Sequence, residues 1–123
     1  MKIEVIKQNH TQAAVVDSRE LLITDAASAL DFMMTVTYET GCFNIAVNKE
    51  AVCDDFFVLR TCLAGEILQK FINYGVRFAV YGDFSKYQSK PLRDFMYESN
   101  HGTDIYFQPD ASGAVAKLCG AAG

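Results

Sequence analysis

No apolar run in the chain approaches membrane-spanning length, and no low-complexity linker or internal repeat divides it. The first twelve residues, MKIEVIKQNHTQ, interleave charges with apolar residues where a signal peptide carries an apolar core, so a cytoplasmic protein with no membrane role is expected. The four cysteines, Cys42, Cys53, Cys62 and Cys119, form no C-x-x-C pair and no Cys/His ladder. Neither a zinc site nor a redox pair can be read from them, and reduced thiols are expected. Only two histidines are present, His10 and His101, both in segments that read as turns. Nothing in the order of residues makes a nucleophile-histidine-acid set. The formal charge of -4 comes without a clustered basic stretch, which argues against nucleic acid as a partner. No metal and no cofactor is implied.

What is there is ordinary globular material. The 123 residues are 50% hydrophobic and 21% charged, enough for one domain over residues 1–123 with one core. Ile3, Val5 and Ile6, the polar turn Gln8 to Gln12, and Ala13 to Val16 read as a hairpin. Leu21-Leu22-Ile23 extends the sheet or packs beneath it. Thr24 or Asp25 caps a helix whose apolar stripe is Ala26, Ala29, Leu30, Met33, Met34 and Val36, with the methionines as core filling and Gly41 as the stop. Cys42 then opens a strand in which Phe43, Ile45 and Val47 alternate with Asn44, Ala46 and Asn48.

The longest coherent stretch, Cys53 to Ser85, reads as a short turn over Phe56 to Arg60, a helix from Thr61, and a strand over Val76 to Tyr81. Leu63, Ile67, Leu68, Phe71 and Ile72 mark the helix's buried face, and Gly75 caps its end. Gly65, costly inside a helix, is expected to serve close packing. Ser89 or Lys90 starts the next helix with Pro91 in its first turn, and Leu92, Phe95, Met96 and Ser99 face inward. A strand around Tyr106 and a helix from Ala111 to Cys119 capped by Asp110 follow, and the tail from Gly120 to Gly123 is expected to fray. The order predicts an α/β sandwich with a mixed, largely parallel sheet and the N-terminal hairpin as its antiparallel edge.

Ligands of such sheets sit beyond the carboxyl ends of the parallel strands, which selects Asn48 to Thr61, Gly82 to Arg93, and Gln108 to Ser112. Lys86, Lys90 and Arg93, with Ser85, Ser89 and the N–H groups of a helix start, form a candidate anion site. Asp83 and Tyr87 are candidates for a polar cleft, Asp83 either as a general base or as a turn former after Gly82.

The run FFVLRTCLAGEILQKFINYGVRFAVYGDFSKYQSKPLRDFMYESN resembles the signature region of the bacterial domain-of-unknown-function family DUF4180, most specifically in LAGEILQKF and in GDFSKY with the later DF.YESN. The resemblance covers nearly the whole chain and implies no activity. Cys62 stands where the family pattern carries a glycine. The element order is also similar to that of STAS domains, which include anti-sigma factor antagonists that bind a regulatory partner kinase. Their Asp-Ser-Ser-Gly-Leu-Gly-like motif would fall on Leu59 to Ala64, where Thr61 supplies the hydroxyl, Leu59 replaces the acid and Cys62 the glycine. That resemblance implies a non-catalytic regulatory module with a protein partner, phosphorylated at Thr61 beside Arg60. The alternatives are a binder of, or enzyme for, a small anionic metabolite, and a homodimer formed through an exposed helix or sheet edge.

Overall fold

The computed structural model describes residues 1–120; of the tail expected to fray, Gly120 is the last residue of a helix and 121–123 lie outside the described residues. Strands β1 (Lys2–Gln8) and β2 (Thr11–Asp17) form the expected hairpin. Its turn is only Asn9-His10, both at positive φ (53° and 63°), the twist that a two-residue connection needs to match its strands. Next come α1 (Ala26–Thr40), β3 (Asn44–Asn48), three short 3-10 turns (Lys49–Ala51, Asp54–Phe57 and Leu59–Thr61) and α2 (Leu63–Asn73). The chain continues through β4 (Arg77–Tyr81), α3 (Lys90–Asn100), β5 (Ile105–Gln108) and α4 (Ala111–Gly120). No helix among the described residues is long and apolar enough to cross a membrane.

The sheet order is β1-β2-β3-β4-β5, antiparallel at the first pair and parallel at the other three. Each crossover steps one strand in the same direction, so with the usual handedness α1, α2 and α3 cover one face. Burial agrees: their inward residues share a cluster with Val16, Ile45, Val47, Phe78, Val80 and Phe107. The alternate residues Ala13, Val15, Ala46, Ala79 and Tyr106 point the other way and meet α4 alone.

Helix starts follow side-chain chemistry. At α1 the Asp25 carboxylate accepts from the Ser28 N–H at 2.7 Å, and Ser28 Oγ accepts in return from the Asp25 N–H at 3.0 Å. Ser89 caps α3 through the Leu92 N–H, and Asp110 caps α4 through the Gly113 N–H. Two helix faces differ from expectation. In α1 the buried stripe is Ala29, Phe32, Met33 and Val36, so Met34 is 45% exposed and is not core filling. In α2 the buried stripe is Ala64, Ile67, Leu68 and Phe71. Gly65 and Ile72, seven residues apart, lie together on one flank beside it, and Ile72, expected to be buried, is 45% exposed. A Cβ at Gly65 would meet nothing within 4 Å, so close packing does not account for this glycine. Phe43, expected in the strand, precedes β3 and is exposed. Ile23 is buried in an isolated parallel bridge with Val52, which places the Leu21-Leu22-Ile23 piece beside the β3 exit.

Asn48 and Ser18 are buried polar residues, and each satisfies the other. Asn48 Nδ2 donates to the Ser18 carbonyl at 2.7 Å and its Oδ1 accepts from the Ser18 N–H at 2.9 Å. The side chain prolongs β2-β3 pairing past the end of the ladder. At the opposite end, Arg77 donates to the carbonyls of Thr103 and Leu118 and to the Tyr106 hydroxyl, tying β4 to the last turn of α4.

Two stability measurements follow. Asn48→Ala strands the Ser18 N–H and carbonyl in a buried place and should cost about 1–3 kcal/mol in urea unfolding, with the slope against urea unchanged. Cys62 takes φ 61° before α2, a backbone that costs a non-glycine residue about 1–2 kcal/mol. Cys62→Gly should therefore raise stability by about 1 kcal/mol after the unfolded-state entropy of glycine is subtracted. A lowered urea midpoint would show that the cysteine side chain has a stabilising contact.

Candidate functional site

The parallel strands β3 and β4 end side by side, Asn48 opposite Tyr81. Their exits are the turn-rich segment 49–62 and the loop 82–89, and an aromatic cluster sets both. Phe57 stacks on Tyr87 with ring centroids 4.6 Å apart and meets Phe84 at 5.8 Å, while Phe84 packs edge-on to Phe107 of β5 at 5.9 Å. Aromatic pairs of this kind, here partly buried, add to the plain burial of their area. The two loops are thus held as one surface.

That surface carries two neighbouring depressions divided by Lys86 and Tyr87. The first is a groove of about 440 Å³ with a floor including Phe57, Leu59, Tyr87, Pro91 and Leu92 and a rim including Arg60, Lys86 and Ser89. The second is a pocket of about 250 Å³ lined by Lys49, Glu50, Cys53, Asp54, Lys86 and Tyr87, with Leu21 and Val52 as apolar wall. On the dividing wall the Tyr87 hydroxyl donates to Asp54 Oδ1 at 2.9 Å, and Lys86 Nζ lies 3.4 Å from the same oxygen. The Tyr87 hydroxyl, and secondarily the Lys86 charge, hold the Asp54 carboxyl below its ordinary range. Lys86 is raised by its contacts with Tyr87 and then with Asp54, and burial pushes the Tyr87 phenol up.

The residues singled out from the sequence divide between these places. Arg60, Lys86 and Ser89 meet at the groove, although Arg60 is 29 positions from Ser89 in the chain. Lys90 and Arg93 lie outside its lining, and Lys90 Nζ is engaged 2.7 Å from Asp94 one helical turn on. Asp94, the residue after Arg93, thus partly neutralises the candidate cation cluster. Asp83 and Ser85 line neither depression; the Asp83 carboxylate accepts from the Ser85 N–H at 2.9 Å, which lowers its pKa and makes it a turn former. Thr61 is exposed at the end of a 3-10 turn, its hydroxyl proton shared between the carbonyls of Val58 (2.8 Å) and Asp55 (2.9 Å), while its oxygen accepts from the Leu63 N–H at 3.2 Å. It does not follow directly on a strand, since β3 ends at Asn48.

Two site residues escaped the sequence reading. Neither Lys49 nor Asp54 is among the candidate site residues drawn from the sequence. The signal for Lys49 lay in Gly82, which follows the adjacent strand: a Cβ there would come within 3.0 Å of Lys49 Cβ. The contact of Asp54 with Tyr87 spans 33 positions and leaves no local trace. Among the described residues no group of three or more His, Cys, Asp and Glu is placed to hold a metal ion.

A family model described as "Domain of unknown function (DUF4180)" matches residues 8–118. No curated protein and no solved structure matches.

The wall between the depressions is open to titration. In Tyr87→Phe the carbon-13 titration midpoint of the Asp54 carboxyl should move up, towards the ordinary carboxylate range. Because the folded value is depressed, the stabilisation it brings is present above the unfolded carboxyl pKa and is lost as pH falls through the folded one. The acid limb of the unfolding curve should therefore flatten slightly in the variant. An unmoved midpoint would mean that the hydroxyl contact is absent in solution.

Proposed function

The chain belongs to the DUF4180 family, a membership that brings no activity with it, and from the geometry of the groove we propose that it is a non-catalytic recognition module for an extended, acidic segment of a regulatory protein partner. The observation that carries this reading is the pairing of an apolar, partly aromatic floor with a cationic rim at one place. Phe57, Leu59, Tyr87, Pro91 and Leu92 offer area for one or two apolar anchors. Arg60 has no side-chain partner among the described residues, and Lys86 is 59% exposed, 3.4 Å from Asp54 and 5.0 Å from the centre of the Tyr87 ring. Peptide segments are gripped in this way elsewhere, with apolar anchors supplying affinity and charges supplying orientation. The groove floor is held by stacked rings, so little loop ordering is charged against binding.

Thr61 adjoins Arg60 and fits the same reading as its control point. Phosphorylation would add about -1.5 to -2 charges next to the rim cation and take away the proton shared with Asp55 and Val58. The acidic segment would then be repelled, so the modified protein is the released state.

The reading is tested by panning a displayed library of random peptides against the purified protein. Sequences combining apolar residues with Asp or Glu should be enriched, and synthetic peptides from that set should lose roughly tenfold or more in affinity towards Arg60→Glu and towards Thr61→Glu. Lack of enrichment over Arg60→Glu as bait would overturn the reading. A peptide-independent dimer closing the groove, seen by light scattering and abolished by Arg60→Glu, would replace the partner with a second copy. A melting-temperature rise with small anions that Arg60→Glu removes would replace it with a metabolite.

A further inference from the structure

The pocket on the other side of the Lys86-Tyr87 wall has a different chemistry from the groove. Its deepest charge is Lys49, whose side chain is only 15% exposed. That ammonium makes no hydrogen bond among the described residues; the one carboxylate oxygen within 4 Å is Glu50 Oε2, at 3.9 Å. Its ring neighbour, Tyr87, has its centroid 5.8 Å away. Since no buried side-chain nitrogen or oxygen among the described residues lacks a partner, the ammonium itself reaches solvent and the low exposure belongs to the stem. Lys49 thus lines the pocket with a head group that has no acceptor at bonding distance.

The backbone opposite is shaped to leave this lysine where it is. Gly82 takes φ 149°, a region L side chains rarely adopt, and any Cβ there would stand 3.0 Å from Lys49 Cβ and 3.7 Å from Cε. The stem of Lys49 therefore lies across a glycine, which carries its charge over the end of β4 and into the pocket. The carboxylates stand nearer the opening: Glu50 is 61% and Asp54 80% exposed.

The distribution of sign selects the ligand. A simple anion would gain Lys49 and meet Glu50 and Asp54. A simple cation would gain the carboxylates and meet Lys49 and Lys86. A molecule carrying both charges a few bonds apart satisfies both ends, and about 250 Å³ admits only a small one. We propose that this pocket binds a free α-amino acid or a similarly small zwitterion, with its carboxylate on Lys49 Nζ and its ammonium towards Glu50 and Asp54. Leu21 and Val52 are the surface left for a short apolar side chain. Charge-assisted hydrogen bonds are the stronger kind, and the Lys49 ammonium has no acceptor at bonding distance among the described residues.

The experiment is a thermal-shift and calorimetric panel at fixed ionic strength. It uses the proteinogenic amino acids, acetate and ethylamine as half-ligands, and the N-acetylated form of any amino acid that binds. At least one amino acid with a small apolar side chain should raise the melting temperature, while acetate, ethylamine and the N-acetyl form should not. Lys49→Met should abolish the rise, and Glu50→Gln, an exposed change that decides the matter if Lys49→Met fails to fold, should weaken binding roughly tenfold or more. Arg60→Glu, on the groove side, should leave amino-acid binding unchanged, so failure of the groove reading and failure of this one are separable. The proposal is overturned if no amino acid shifts the protein, if acetate does so equally well, or if binding survives in both pocket variants.

Discussion

Burial of one sheet on both of its faces is the constraint from which the rest of this structure follows. Parallel pairing needs crossover helices, and three of them, stepping one way, fill one face with large side chains such as Ile45, Phe78 and Phe107. The other face has a single ten-residue helix to cover it. Such a helix is about 15 Å long, whereas five strands span about 19 Å between the outer two. The sheet meets that shortage with small residues: Ala13, Ala46 and Ala79 lie under α4, and Ala114 comes from the helix itself. Tyr106, fully buried on the same face, fills the width that alanines leave, and its hydroxyl accepts from Arg77.

A sheet so enclosed has nowhere to present polar chemistry except at its strand ends. In doubly wound sheets the helices part at a reversal of strand order and open a crevice. Sequential winding gives no such reversal here, so the open space is made by loops. Those after β3 and β4 are fixed by ring contacts between Phe57, Tyr87 and Phe84; Phe57 and Tyr87 line the groove, and Tyr87 also lines the pocket. One set of contacts therefore stabilises the loops and shapes both depressions.

The class of fold, the hairpin edge and the caps at Asp25, Ser89 and Asp110 were legible because each depends on neighbours within a few positions. The helix faces were legible only in part. Met34 and Ile72 are apolar and adjacent to the buried stripe, and nothing in composition distinguishes the residue that ends up wet; the helical phase set by Met33 and Phe71 decides it. At the strand ends Arg60 and Lys86, distant in the chain, line one groove. The pairing of the charges around it was not legible. Lys90 is spoken for by Asp94, Lys86 by an aspartate 32 positions away, and the cation left facing a cavity, Lys49, sat in an unremarkable polar segment. Pairings of that range are properties of the folded chain.

The position of α4 after all five strands bears on how the protein is made. While the chain emerges from the ribosome in order, α1, α2 and α3 can each dock on strands already synthesised. The face of Val15, Ala46, Ala79 and Tyr106 has no cover until α4 follows β5. For that interval the nascent chain is a half-clad sheet, apolar on one side, and its exposure to chaperones and to other chains ends only when one short helix, held by Arg77 at its last turn, closes over it.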